Sequence, residues 1–493
     1  MLGVDTKDKK GQQKNDGAKK YAAAKELHLK VLAGVDTPAA AAIRNYFSKA
    51  PNIARAEQLF GESVGGIPET RNDLAFMVEG RFAYEDESIK RAWDSCYTAR
   101  GRSAGRILDL VTGREDTIQA LQGEVRLRGV SMGKKPLVSI NADSFASYGK
   151  SAKDPAATIG CYASYAYVAA LNDLLADKYH HKFLGGDTLV YPAENGGENE
   201  VALFSWCSEP KEEDSDKLDA IMENISAGKP SCLENCDFER AFYVLCMSPN
   251  AGRISVRFFH RSSFGNVLLN IARHYENLEI SSSRVEKFRF LPAWMILSET
   301  TVKKTASDAA PLLGGQLLNS IVTGARYPMT LYTAMLTRIR AGEEVNRQKA
   351  AVIKAVLIRN YNEREVAAVS LNEQSSNKPY VLGRLFATLE KLQKDASGGK
   401  LNATIRDRYF ASACANPASV FPVILKLSMH HAAKLDRALY YENLKAELLG
   451  KLDADEPFPS ALGLDDQGRF ILGYYHQMQR FYTKKTTEET IDE

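Results

Sequence analysis

The feature that most constrains this chain's fold is a C-terminal series of amphipathic helical patterns over residues 370–485. In the first pattern, apolar side chains recur at the i, i+3, i+4 and i+7 spacing of one buried helical stripe: Leu382, Leu385, Phe386, Leu389 and Leu392. Pro379 stands at a first helical position, where its missing N–H costs no hydrogen bond, and Ser397-Gly-Gly ends the pattern. The spacing therefore predicts a long helix that buries one face in a core.

Similar helical patterns follow at short intervals over residues 401–410, 420–435, 439–452 and 467–482. Short breaks between long amphipathic helices favour an antiparallel helical bundle. Basic residues outnumber acidic ones between residues 378 and 451, although the whole chain carries a net charge of only +3. Such a basic surface is either a solvated face or a binding face for nucleic acid, and charge alone does not decide between them.

The first 280 residues follow a different pattern, in which short strands and turns are mixed with helices. Helical periodicity covers residues 21–32, 38–47 and 164–178, and alternating apolar residues predict paired strands over 241–248 and 252–260. Further helices are predicted from residue 263 and over residues 312–323, 328–339 and 350–360. We therefore predict an α+β fold in three parts: a mixed α/β region over 1–280, a helical region over 281–365 and an antiparallel helical bundle over 366–493.

A glycine-interrupted basic segment at residues 125–136 is the most informative stretch of the mixed region. Glycines let a nucleic-acid backbone approach the loop closely, and basic side chains neutralise phosphates. The basic residues of this segment are Arg126, Arg128, Lys134 and Lys135. The composition of the segment therefore suits contact with nucleic acid.

A predicted strand over residues 137–141 and a polar run follow the basic segment. Asn141 carries both a donor and an acceptor, which is what reading a base edge requires. Other side chains of the run that can contact phosphate or base are Ser144, Ser147, Tyr148 and Lys150. The alternative is a surface loop in which Asn141 caps a strand end, and the residue pattern alone favours that alternative.

The sequence lacks the phosphate-loop pattern of nucleotide-hydrolysing enzymes, because it contains no Gly-x-x-x-x-Gly-Lys-Ser/Thr run. His180 and His181 lie near Asp187, but adjacent histidines point in different directions on a helix or strand, which disfavours a metal site. We therefore expect a protein that is not an enzyme and that holds neither a metal nor a cofactor.

The chain also lacks the patterns of export and of membrane insertion. Its first twenty residues are polar and Lys-rich, without the apolar core of a secretory signal, and no window holds the eighteen or so apolar residues of a membrane span. The seven cysteines are scattered, as expected for reduced thiols. These features predict a cytoplasmic protein without a membrane partner.

Several ordered runs of residues resemble one known family, the large subunit of the type I-C CRISPR surveillance complex (Cascade). The resemblance is carried by Ser139-Ile-Asn-Ala-Asp-Ser-Phe-Ala-Ser-Tyr-Gly, Gly383-Arg-Leu-Phe-Ala, Gly399-Lys-Leu-Asn-Ala-Thr-Ile-Arg-Asp-Arg-Tyr-Phe, Pro417-Ala-Ser-Val-Phe-Pro and Gly473-Tyr-Tyr-His-Gln. Against this background, the nucleic-acid interpretation of residues 126–150 becomes the favoured one. Members of the family usually carry a further N-terminal segment, which we expect this chain to lack.

The resemblance implies a binding subunit of an RNA-guided complex that opens duplex DNA. Pairing with the guide supplies most of the sequence information in such complexes, while protein reads a short flanking motif and holds the displaced strand. The implied partners are the backbone subunits of the complex, the target double-stranded DNA, the displaced single strand and a helicase-nuclease. A nuclease with an unrecognised active site is the alternative to a non-catalytic subunit.

The resemblance also implies that the C-terminal bundle is made a second time, as a separate small subunit, by translation from an internal start. No Met lies between Met335 and Met429, so an internal start near the polar connector needs a valine or leucine codon as the initiator. We expect this start at Val369, because it leaves the first helix of the bundle intact. Copies of this small subunit are then partners of the full chain. The bundle would support the displaced strand along a basic track: Arg384, Lys391, Lys394, Lys400, Arg406 and Arg408.

Overall fold

The structure is a computed structural model of the 493-residue chain. It describes residues 6–7, 13–14, 17–54, 75–100, 106–119, 121–130, 133–140, 142–145, 158–212, 215–226, 235–250, 252–398, 401–435 and 438–483. The chain divides into two compact units. The N-terminal unit comprises Met1–Gly123 and Val138–Ala169, and the C-terminal unit comprises Glu124–Leu137 and Ala170–Glu493.

The N-terminal unit consists of helices and two-stranded hairpins. Its helices are α1 (Gly17–Val31), α2 (Pro38–Ser48), α3 (Glu87–Arg100) and the first part of α4 (Cys161–Ala176), and its hairpins are β1 (Thr6–Lys7) with β2 (Gln13–Lys14), β3 (Met77–Val78) with β4 (Arg81–Phe82), and β5 (Arg106–Leu108) with β6 (Glu115–Thr117). Thr37 caps α2, because its Oγ1 accepts a hydrogen bond from the Ala40 N–H at 3.3 Å. The predicted helix after Thr37-Pro38 is thereby confirmed.

The C-terminal unit contains a four-stranded antiparallel sheet in the order β12-β11-β10-β9. Its strands are β9 (His181–Leu184), β10 (Asp187–Val190), β11 (Ala241–Asn250) and β12 (Arg253–Ser263), and a separate short hairpin is formed by β7 (Glu124–Val125) and β8 (Lys135–Pro136). The long β11–β12 pair confirms the strands predicted from alternating apolar residues. The predicted strand over 137–141 is wrong, because the strand here is β8, which pairs with Val125 and ends at Pro136.

Helices cover one face of this sheet. They are α5 (Glu198–Ser208) and α7 (Phe264–Leu278), and Phe242 on β11 packs its ring against Phe204 and Phe264 on these two helices, while α6 (Ser215–Ser226) packs against α7. Ser263 caps α7 through its side-chain oxygen, which accepts from the Asn266 N–H. Buried and partly exposed residues alternate along much of β11, so one face of the sheet is covered by helices and the opposite face is the second face.

Nine helices follow in the rest of the described C-terminal unit. They are α8 (Ala293–Ser298), α9 (Leu313–Thr323), α10 (Met329–Arg340), α11 (Arg347–Tyr361), α12 (Lys378–Ala396), α13 (Ile405–Ala415), α14 (Pro417–Ala432), α15 (Ala438–Gly450) and α16 (Leu464–Tyr482). Pro379 lies in the first turn of α12, as the sequence predicted, and Asn377 caps this helix. The predicted α+β fold with a C-terminal helical bundle is confirmed.

The centre of the bundle is the crossing of α12 and α16, where two glycines remove the side chains that would keep the backbones apart. A Cβ on Gly383 would lie 1.9 Å from the Phe470 carbonyl oxygen, and a Cβ on Gly473 would lie 2.0 Å from the Tyr380 carbonyl oxygen. Both distances are far below any van der Waals contact, so only glycine fits at either position. The two runs Gly383-Arg-Leu-Phe-Ala and Gly473-Tyr-Tyr-His-Gln thus meet in space.

One hydrophobic core continues from the sheet into the bundle, and it crosses residues 280 and 365, where the sequence predicted boundaries. Polar contacts cross the boundary at residue 365 as well. The Tyr332 hydroxyl donates to the Leu464 carbonyl at 2.8 Å, and the Tyr475 hydroxyl donates to the Ser281 carbonyl at 2.9 Å. The bundle is therefore packed against the helices that precede it. In the described part of the chain, no helix is both long and apolar enough to cross a membrane.

Candidate nucleic-acid interface

The β7–β8 hairpin presents arginines on one side and apolar residues on the other. Val125, Leu127 and Val130 are buried, whereas the intervening Arg126 and Arg128 are exposed. This alternation is what an extended segment produces when one of its sides packs on a core. The hairpin therefore keeps two cationic side chains exposed on its outer side.

The apolar side of the hairpin is anchored on the second face of the sheet. Its buried residues share a hydrophobic cluster with Leu171 of α4, Val190 of β10, Met247 of β11 and Ile254 of β12. The backbone is fixed too, because the Arg126 N–H donates to the Asn172 Oδ1 at 2.7 Å and the Asn172 Nδ2 donates to the Glu124 carbonyl at 3.0 Å. Both arginines thus stand on a backbone held by packing and by hydrogen bonds.

The glycines of the segment have conformational reasons to be there. Gly129 has φ +83° and Gly133 has φ +74°, in the left-handed region that favours glycine. A Cβ on Gly129 would also lie 3.0 Å from the Pro249 Cγ, near the turn between β11 and β12. These two glycines shape the hairpin itself, independently of any contact with a ligand.

The four basic side chains of the hairpin differ in how available they are. The Arg128 guanidinium lies over the Phe183 ring, 5.0 Å from its centroid, and stays exposed. The Lys134 Nζ forms an ion pair with the Glu124 carboxylate at 2.5 Å, and Lys135 is half-buried on β8. Arg126 and Arg128 are therefore the better candidates for phosphate contacts than the two lysines.

The remaining predicted residues of this region are placed only in part. Ser144 is exposed in a short 3₁₀ turn of the N-terminal unit. The others lie outside the described residues: Asn141, Ser147, Tyr148 and Lys150. The base-reading role expected for Asn141 thus stays a prediction from the sequence.

Arg384 does not lie on the surface track expected of the bundle. Its side chain is only 1% exposed, its Nε donates to the Gln477 Oε1 at 3.1 Å, and its Nη1 donates to the Glu373 carbonyl at 3.2 Å. Burial lowers the pKa of this guanidinium. The expectation that Arg384 faces solvent is therefore wrong, because α12 is surrounded by other helices and buries its polar residues too.

The other cations of the expected track carry partners within the protein. Lys391 pairs with Asp395 at 2.5 Å and Lys394 with Glu390 at 2.6 Å, each one turn apart on α12. An Arg406 Nη donates to the Glu343 carbonyl. The last two residues of the track are Arg408, which is exposed on α13, and Lys400, which lies outside the described residues.

The histidines that could suggest a metal site have ordinary partners. The His180 Nδ1 lies 2.6 Å from the Asp177 Oδ2, and the Asp187 Oδ1 lies 3.5 Å from the Arg257 Nε. Within the ranges that the structure describes, no three His, Cys, Asp or Glu side chains gather closely enough to hold a metal ion.

The aromatic residues of the sheet beside the hairpin were not identified from the sequence. The apolar alternation of β12 predicts a strand, but it does not indicate which face of that strand stays uncovered.

Fold and surface together define a large α+β protein that displays a basic hairpin from an antiparallel sheet and continues into a helical bundle. A comparison with protein families identifies the kind of protein. The chain belongs to the family described as CRISPR-associated protein (Cas_Csd1), whose sequence model matches residues 1–482. This membership supports a subunit of the Cascade type. No curated protein matched the chain.

Proposed function

We propose that this CRISPR-associated protein is a non-catalytic subunit of a type I-C RNA-guided DNA surveillance complex, and that its β7–β8 hairpin contacts DNA at the motif flanking the target. The observation that carries this proposal is the pair of exposed arginines on a hairpin anchored by a buried cluster. Phosphate contacts made from a fixed backbone set the register of a protein on a duplex. Asn141, which follows the hairpin in the sequence, would then read base edges.

Within such a complex, the chain would hold the duplex while the guide RNA pairs with one strand. Its local positive charge steers DNA toward the hairpin, and base pairing supplies the remaining specificity. Support of the R-loop and recruitment of a helicase-nuclease are further parts of this proposal. Both rest on membership in the family and on the resemblance to the large subunit.

The salt dependence of DNA binding tests the role of the hairpin. Binding of the full chain to a target duplex is measured between about 50 and 200 mM salt, for the wild type and for the double variant Arg126→Ala, Arg128→Ala. Each lost phosphate contact reduces the slope of log K against log salt by about 0.9. We expect a reduction of about 1 to 2, whereas the control Lys303→Ala, an exposed cation on another loop, should leave the slope unchanged.

Absence of catalysis is part of the same proposal and has its own test. The purified chain is incubated with single- and double-stranded DNA and with RNA, in the presence of Mg²⁺ or Mn²⁺. We expect no cleavage. Cleavage that survives repurification and is lost in a point variant would establish the alternative, a nuclease.

The displaced strand is the remaining ligand in the proposal. The bundle offers this strand fewer unpaired cations than its sequence suggests. Arg384 is buried, and Lys391 and Lys394 are neutralised by neighbouring carboxylates. A separately translated small subunit beginning at Val369 would in addition expose the apolar face that packs on α10 and α11 in the full chain. Copies of that small subunit would need another surface to cover this face.

A further inference from the structure

The second face of the sheet is only partly covered by the hairpin. Opposed residues of an antiparallel pair share a face, and the register pairs Met247 with Val256, Leu245 with Phe259, and Tyr243 with Arg261. The hairpin cluster covers Met247 and packs against Leu245. On β12, however, Phe259 is 61% exposed and Val256 is 49% exposed. The hairpin and a strip of exposed β12 residues therefore lie on the same face.

The exposed strip is built around an aromatic pair and a cation. The rings of Tyr243 and Phe259 lie nearly parallel, with centroids 6.3 Å apart and an angle of 26° between their planes. The exposed Arg261 guanidinium lies 5.7 Å from the Tyr243 ring centroid. This arrangement leaves one side of Phe259 open while its ring orientation is supported by Tyr243.

The charge of the two strands indicates what could occupy this strip. Residues 241–263 include three arginines and no Asp or Glu. Of the three, Arg257 is held by Asp187, whereas Arg261 points to the exposed side. An exposed ring beside a cation, on a strand pair without carboxylates, is complementary to an unpaired base and its phosphate. A peptide or a second apolar surface would not require this charge.

We propose that Phe259, supported by Tyr243 and flanked by Arg261, stacks an unpaired base of single-stranded nucleic acid on the face of the sheet that carries the hairpin. This inference rests on the proposed nucleic-acid-binding function and adds a specific contact to it. Stacking on an aromatic side chain is tolerant of base identity, because every base has a π face. Single-stranded DNA and RNA offer the same chemistry, and the test separates them.

The test uses the full chain and a 2-aminopurine-containing oligonucleotide, as DNA and as RNA of the same sequence. Stacking changes the fluorescence of 2-aminopurine on binding. We expect Phe259→Leu, which keeps apolar bulk and removes the ring, to weaken single-strand binding about tenfold and to abolish the fluorescence change. Phe259→Trp should retain both. Arg261→Gln should lower the salt slope by about 0.7 without removing the fluorescence change.

The matched control is Val256→Ala, which removes an exposed apolar side chain from the same strand but no ring. If Phe259→Leu and Val256→Ala behave like the wild type with both oligonucleotides, the stacking contact is wrong. In that case, duplex binding that still depends on Arg126 and Arg128 keeps the proposed function in place. A wild-type chain that binds neither duplex nor single strands would overturn both. A loss in Phe259→Leu for only one of DNA and RNA identifies the strand that occupies the strip.

Discussion

The guanidinium of Arg384 lies inside the C-terminal bundle, where its Nε donates a hydrogen bond to the Gln477 Oε1 at 3.1 Å. The contact joins α12 to α16, the two helices that cross through Gly383 and Gly473. A charged side chain in this place is buried and satisfied by fixed acceptors, so its removal leaves those acceptors without a partner.

Arg384→Ala should therefore lower stability and leave DNA contacts alone. We expect the free energy of unfolding to fall by about 3 kcal/mol, measured by urea denaturation, because hydrogen bonds to a charged group and the packed side-chain stem are lost together. The salt slope of DNA binding should not change. The exposed Arg408→Ala is the control and should alter stability by no more than about 0.5 kcal/mol. If Arg384→Ala is as stable as the wild type and the salt dependence of its DNA binding is weaker, Arg384 contacts DNA and the assignment to the core is wrong.

Gly383→Ala tests the close crossing of α12 and α16. A methyl group at this position meets the Phe470 carbonyl oxygen, so the helices must separate, and we expect a loss of about 3 kcal/mol or more in the free energy of unfolding. Gly450, at the end of α15, has open space around its Cβ position. Gly450→Ala should be neutral or slightly stabilising. Equal stability of the two variants would contradict the crossing geometry.

Two buried histidines predict how stability depends on pH. Burial lowers the pKa of His274 and of His476 to about 3, and their Nδ1 atoms lie 2.7 Å and 2.9 Å from the hydroxyls of Tyr327 and Tyr380. Below the unfolded value of about 6.5, the unfolded chain binds protons that the folded chain does not. Stability should therefore fall between about pH 6.5 and 3, by as much as about 1.4 kcal/mol per pH unit for each histidine.

Denaturation series at pH 7, 6 and 5 measure this dependence. His274→Gln and His476→Gln should each reduce the loss of stability on acidification, even if they lower stability at pH 7. His430 is exposed, so His430→Gln should leave the pH dependence as it is. If His274→Gln and His476→Gln lose as much stability on acidification as the wild type and His430→Gln, neither buried imidazole is responsible for the pH dependence.

Truncation tests whether the bundle is independent of the helices before it. In the full chain, Arg469 of α16 pairs with Glu363 at 2.9 Å, and the Val369 carbonyl accepts a hydrogen bond from the Ser281 N–H at 2.8 Å. A fragment of residues 369–493 loses these contacts and exposes part of the shared core. We expect it to melt at a lower temperature than a fragment of residues 281–493, which keeps them. Equal melting temperatures would show an autonomous bundle.

The sequence predicted the helices of the C-terminal bundle well because each follows a simple apolar periodicity and ends at an evident break. It could not show the burial of Arg384 in the same way. A helix at the centre of a bundle is covered on nearly all sides, so Thr388 and Glu390 are buried as well as the apolar stripe. A pattern of polar and apolar residues does not reveal how many neighbours a helix has.

The sequence also predicted the β7–β8 hairpin only in part. Its basic composition was evident, but the strand was predicted after Pro136, although proline is rare inside strands and the observed strand includes it. The short β8 strand tolerates Pro136 opposite Glu124. The anchoring cluster depends on Val190, Met247 and Ile254, which are distant in sequence from the hairpin, and no local pattern links them to it.

The measurement that most directly tests the account is selection of target duplexes by the assembled RNA-guided complex. A library with a randomised flanking motif is bound with complexes that carry the wild-type chain, Asn141→Ala, or Arg126→Ala with Arg128→Ala. We predict that the wild type selects a subset of motifs, that Asn141→Ala relaxes this selection, and that the arginine variant weakens binding to all motifs alike. Wild-type complexes that bind every flanking motif equally would contradict the central claim.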